Sequence, residues 1–103
     1  MAMESMTKFL MFEDFSPHVG KLVHFKGTPY SFPIHRMEGV GGEPPPGMKR
    51  TFFQVIFRGP KSTDYMREGM YECEIEGGPT YALYVAPIQT PSPDYQDYQA
   101  AFN

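Results

Sequence analysis

The chain has 103 residues, room for one domain, and its 41% apolar content excludes wholesale disorder. A net charge of −3 gives no general support to nucleic-acid binding. No apolar run approaches the length of a membrane span, and no basic stretch followed by an apolar one opens the chain. Neither a span nor a signal peptide is expected, and the protein reads as cytoplasmic.

Residues 1–6 carry no pattern and read as a mobile tail ahead of a single β-domain over 7–103. Lys8–Phe15 is rich in Phe and ends at Ser16-Pro17, which predicts a short helix or helical turn over 7–15 that plugs one end of the fold. A turn at His18-Val19-Gly20 leads into a strand over Lys21–Lys26, with Val23 and Phe25 on one face and Leu22 and His24 on the other. Gly27-Thr28-Pro29 turns the chain into a second strand, Tyr30–Val40, with Tyr30, Phe32 and Ile34 in phase and Pro33 marking an edge or bulge. Gly39–Arg50 is the one long loop, and Pro44, Pro45 and Pro46 favour an extended polyproline conformation there.

The stretch Thr51–Pro60 is the centre of the pattern. Thr51, Phe53, Val55 and Phe57 form a core face; Phe52, Gln54, Ile56 and Arg58 form the other, apolar at two of four positions, so a strand covered on both sides is expected. Gly59-Pro60 reads as a tight turn that ends it. A connection over Lys61–Gly69 has Tyr65 and Met66 to tuck it down. Met70–Glu76 alternates cleanly, with Tyr71, Cys73 and Ile75 facing in and the glutamates out. Thr80–Ala86 follows with Tyr81, Leu83 and Val85 inward, ended by Pro87; Tyr95–Asn103 is last, with Tyr98, Ala100 and Phe102 in phase. These elements predict an all-β fold, a small partly closed antiparallel barrel or compact sandwich of about six strands with one short N-terminal helix. The barrel is preferred, because the last strand can pair back onto an early one and remove an open edge.

Charge is unevenly spread. Residues 1–67 hold all nine Lys/Arg, whereas residues 68–103 hold six acids and no Lys, Arg or His. Acidic and basic strands pairing across one sheet explain this, and a two-signed docking surface is the functional alternative. Cys73 is the single cysteine, flanked by Glu72 and Glu74, and reads as a buried, inert thiol. The glycines near residue 40 lack a phosphate-loop ending, and His18, His24 and His35 lack the spacing of a zinc site, so neither cofactor nor metal is implied.

Three segments carry a resemblance: Phe15-Ser-Pro-His-Val-Gly20; Arg58, Gly59 and Pro60 followed by Gly69 and Tyr71; and Pro87 with the closing run through Tyr98, Phe102 and Asn103. The order resembles a family of uncharacterised bacterial proteins of about this length, with a central strand ending F-R-G-P and a C-terminal Y-E-A-x-F-N-like motif. Gln99 stands where that family usually has Glu, and the Pro-rich loop is longer. The resemblance implies a small β-domain without assigned activity, in genomes where phage-tail-like collar proteins occur nearby.

The leading functional expectation is a non-enzymatic interaction or assembly module, engaging a protein partner or a second copy, with Phe52, Ile56, Arg58 and the loop prolines Pro44, Pro45 and Pro46 as its surface. The alternative is a small-ligand-binding barrel lined by Tyr and Phe. An enzyme using His18, His24 or His35 ranks third.

Overall fold

The computed structural model describes residues 9–102, so the expected tail over 1–6 and the role of Asn103 lie outside the described residues. Six strands form a closed antiparallel barrel: β1 (Leu22–Phe25), β2 (Ser31–Gly39), β3 (Phe53–Pro60), β4 (Gly69–Ile75), β5 (Thr80–Ile88) and β6 (Tyr95–Phe102). Around the wall they run β1, β2, β3, β6, β5, β4, and β4 returns to β1. The expected barrel is therefore present, but its seam differs. β6 pairs with β3 over its whole length, from Phe53 opposite Phe102 to Pro60 opposite Tyr95. Closure is made instead by β1 and β4, with Val23 opposite Ile75 and Phe25 opposite Cys73.

Alternation decides what faces inward. Val23, Phe25, Phe32, Ile34, Phe53, Val55, Phe57, Cys73, Ile75, Tyr81, Leu83, Val85, Tyr98 and Ala100 are all buried. A six-stranded barrel is narrow enough for such side chains to fill it. β2 keeps this phase through a bulge at His35: Ile34 lies opposite Phe57, whereas Arg36 lies opposite Ile56. The extra residue leaves His35 and Arg36 both on the outer side.

Aromatic rings close the two ends. The short helix or helical turn expected over 7–15 is present as two 3-10 turns, Phe12–Asp14 and Ser16–His18. The Asp14 carboxylate accepts the Met11 N–H at 2.8 Å, and Pro17, at the start of the second turn, has no N–H with which to continue the first. Between the turns Phe15 drops into the barrel mouth, 5.4 Å from the rings of both Tyr81 and Phe102. Phe53 stacks on Phe102 at 4.6 Å. The Arg50 guanidinium lies over the rings of Phe9 (4.4 Å) and Phe102 (5.2 Å) and donates to the Leu10 carbonyl at 2.7 Å, joining the early segment to the last strand.

At the far end Phe32 stacks on Tyr98, with centroids 4.9 Å apart. The Tyr98 hydroxyl accepts the Met66 N–H at 3.1 Å and so tucks in the connection between β3 and β4. Met66 is buried there, while Tyr65 stays exposed. Gly59 corrects the reading of the F-R-G-P stretch. It is no turn residue but an inward position inside β3, opposite Gln96. A Cβ on it would lie 2.6 Å from Phe32 Cδ1, so glycine is what lets the Phe32 ring cross the strand. Pro87 likewise does not end its strand; β5 runs on to Ile88, paired with β4 as far as Val85 and with β6 from Ala86 onward.

Candidate functional site

The three histidines do not converge. Lys21 Nζ donates to His18 Nδ1 at 3.3 Å, His24 Nδ1 lies 2.8 Å from Ser31 Oγ, and His35 is exposed on the bulge. Burial and the Lys21 charge hold the His18 imidazole below its ordinary range. No group of three or more His, Cys, Asp or Glu able to hold a metal occurs among the described residues. Cys73 sits inside the barrel, and burial pushes its thiol up to about 12. The interior void bounded by Phe15, Ile34, Phe57, Cys73 and Leu83 is too small for a water molecule.

The proposed interface residues do not form one patch. Phe52 is 49% exposed, but Ile56 is 1% exposed, in register with Arg36 on one side and Gln99 on the other. Arg58 is committed within the wall. It forms a two-point pair with Asp97, Nε to Oδ1 at 2.7 Å and Nη2 to Oδ2 at 2.9 Å, and its guanidinium lies 3.6 Å from the centre of the Tyr95 ring. Arg36 Nη1 stands 3.8 Å from the same carboxylate and also binds Glu38. The Asp97 backbone N–H donates to Thr90 Oγ1 at 3.0 Å. The Arg58 hydrogen bonds foremost, with the charges of Arg58 and Arg36, hold the Asp97 carboxyl below its usual value. The Asp97 partnership follows from the pairing of β3 with β6, which periodicity within one strand does not reveal.

Phe52 instead belongs to the loop end of the barrel. Thr51 Oγ1 donates to the Val40 carbonyl at 2.5 Å, closing the base of the loop. The Glu13 carboxylate accepts the Gly42 N–H at 2.8 Å, and Gly41 packs so tightly on Phe12 that a Cβ would lie 2.6 Å from Cδ1. The prolines do not remain extended: Met48 N–H donates to the Pro45 carbonyl, with Gly47 at φ 84°, which makes Pro46-Gly47 the corner of a tight turn. Pro45, Pro46 and Met48 are exposed at this corner, and Pro44 is half-buried. Val40 is 67% exposed beside the base.

A second apolar feature lies on the wall. Met70 and Tyr84 are opposite each other across β4 and β5, 64% and 53% exposed. The Tyr84 hydroxyl donates to Glu68. The alternation of β4 and β5 already put both on the outer face, although neither carried an expected role. Elsewhere on that face Glu72 and Glu74 point out as read from the sequence, with Lys26 3.6 Å from Glu72 across the seam.

No helix among the described residues is long and apolar enough to cross a membrane. No curated protein and no solved structure matches the chain. A family model does match, and at the coarse level it agrees with the resemblance to an uncharacterised small domain. It covers residues 10–102 and is described as a domain of unknown function, DUF6916, and the chain belongs to that family.

Proposed function

We propose that this domain is a non-enzymatic protein-interaction module that meets its partner at the loop end of the barrel. The observation that carries this reading is the exposure of Val40, Met48 and Phe52 at 67%, 47% and 49% around a loop whose base is hydrogen-bonded in place. Apolar side chains on a pre-ordered loop lose little conformational entropy on binding. Pro45 and Pro46 extend that surface at the turn, and Arg58 is left to the barrel wall. The reading places the protein in the cytoplasm. The bacterial family with the F-R-G-P and closing Y-E-A-x-F-N-like motifs makes an accessory role in a phage-tail-like assembly the first setting to test.

A photo-crosslinking amino acid at Met48, introduced in the native cell, is expected to capture one defined protein. Capture is expected to fall at least about fivefold with Phe52→Ser, because a central aromatic anchor carries a large share of binding energy. Absence of a specific adduct, or capture unchanged by Phe52→Ser, overturns the reading.

A further inference from the structure

The strand order turns a property of the sequence into a property of the surface. β6, β5 and β4 are consecutive in the wall. They and their turns come from residues 68–102, which hold six Asp/Glu and no Lys, Arg or His. The other half, β1 to β3, holds Lys26, Arg36 and Arg58. Among the described residues, cations meet the acidic half at its borders: Lys26 at Glu72, Arg67 just ahead of β4, and Arg58 with Arg36 at Asp97.

β5 is the middle strand of that half. Outward it presents Thr80, Ala82, Tyr84, Ala86 and Ile88, with no charge, and of these Tyr84 is the large side chain left exposed. Met70 stands directly opposite Tyr84, Glu68 accepts from the Tyr84 hydroxyl, and Glu72 and Glu74 follow Met70 outward along β4. Both apolar side chains are more than half exposed. β4 and β5 are paired with each other from Gly69 opposite Val85 to Glu74 opposite Thr80, so contact on this outer face is made by side chains.

We infer that this β4–β5 wall binds a cationic partner segment, one that seats an apolar side chain on Met70 and Tyr84 and places Lys or Arg against Glu68, Glu72 and Glu74. The inference rests on the interaction reading above and supplies the chemistry of a second contact. The thioether adapts to the shape of the incoming group, and the phenol offers a flat apolar body with a polar tip. The carboxylates select the sign of the partner and repel an acidic one.

The test uses the whole protein and three nonapeptides: a central Phe flanked by four Lys on each side, the same peptide with central Ala, and the Phe peptide with Glu in place of Lys. Titration is followed by NMR at the Met70 methyl and the Tyr84 ring. The Lys/Phe peptide is expected to shift both signals saturably. The Ala peptide is expected to bind about tenfold more weakly, and raising the salt from 0.05 to 0.5 M to weaken binding by about tenfold. The Glu peptide is expected to cause no shift. Met70→Lys is expected to weaken binding about tenfold with an unchanged melting temperature, since the side chain is exposed. Saturable shifts confined to other residues, equal binding of the Phe and Ala peptides, or an unaffected Met70→Lys variant overturns the inference. If the peptide fails while the Met48 adduct still forms, only this inference falls; if the Met48 adduct is lost while the peptide binds, the loop-end reading falls instead.

Discussion

Gly59→Ala is the most direct trial of how the barrel is packed. The added methyl would sit 2.6 Å from Phe32 Cδ1 and 2.9 Å from Cζ, where ordinary contacts lie near 3.5–4.0 Å. Phe32 cannot simply swing away, because its ring is stacked on Tyr98 and packed against Phe25 at 5.7 Å and Tyr30 at 5.6 Å. Overpacking of this kind costs about 1–3 kcal/mol. In an unhindered strand the same change would stabilise by about 0.5–1 kcal/mol, because glycine loses more backbone freedom on folding. The predicted sign is therefore opposite to the intrinsic one. At about 4–8 °C per kcal/mol for a domain of this size, the melting temperature should fall by roughly 5–20 °C. Thermal and urea unfolding of the parent, Gly59→Ala, Phe32→Leu and the double variant would measure it. The smaller side chain should relieve the clash, leaving the double variant at least about 1 kcal/mol more stable than the sum of the single effects. A Gly59→Ala protein as stable as the parent, or strictly additive effects, would refute the steric account.

Asp97→Asn should cost about 1.5–3 kcal/mol, because the two-point bond to Arg58 loses its charge and one acceptor. The native carboxyl titrates below its ordinary 3.8, so its contribution is present above that pH and lost as the pH falls toward the native value. Urea unfolding between pH 2 and 6 should accordingly show a flatter acid limb in the variant, and equal limbs would count against the pair. Cys73 behaves in the reverse sense: native ionisation waits until about 12, against an ordinary 9.0, so its contribution holds below pH 9.0 and is lost as the pH rises toward 12. Slow native labelling by a thiol reagent, fast after unfolding, would support this burial; rapid native labelling would contradict it. Phe102→Ala should remove the stack on Phe53 and the contact with Phe15, for a loss of about 3 kcal/mol. A calorimetric melting point within about a degree of the parent would show that the last strand is held by its backbone alone.

The inside of the barrel could be read from the chain because it depends on period-two alternation, which each strand carries by itself. Cys73 and Ile75, and Tyr81, Leu83 and Val85, needed no knowledge of their neighbours to be placed inward. What depends on the neighbouring strand was harder. Ile56 reads as interface because it shares the less core-like face with the equally apolar Phe52, but adjacent strands set Arg36 and Gln99 beside it and it is buried within the protein. Arg58 looked available until β6 supplied Asp97. Gly59 before Pro60 has the form of a turn signal, yet the position answers to a ring on β2, a contact between strands that no local rule contains. The seam between β1 and β4 was missed for the same reason: both have good inner faces, and alternation does not say which two strands meet.

The position of Arg50 bears on the connectivity of the chain. Its guanidinium lies over Phe9 and Phe102 together, so the two rings, from opposite ends of the described sequence, are no more than about 10 Å apart, a span of roughly three extended residues. A circular permutant that joins residue 102 to residue 9 by a short Gly/Ser linker and opens the exposed stretch Lys61–Asp64 would keep every strand pair of the barrel. The new ends would then lie in the connection between β3 and β4, leaving the Pro-rich loop unencumbered by any fused tag.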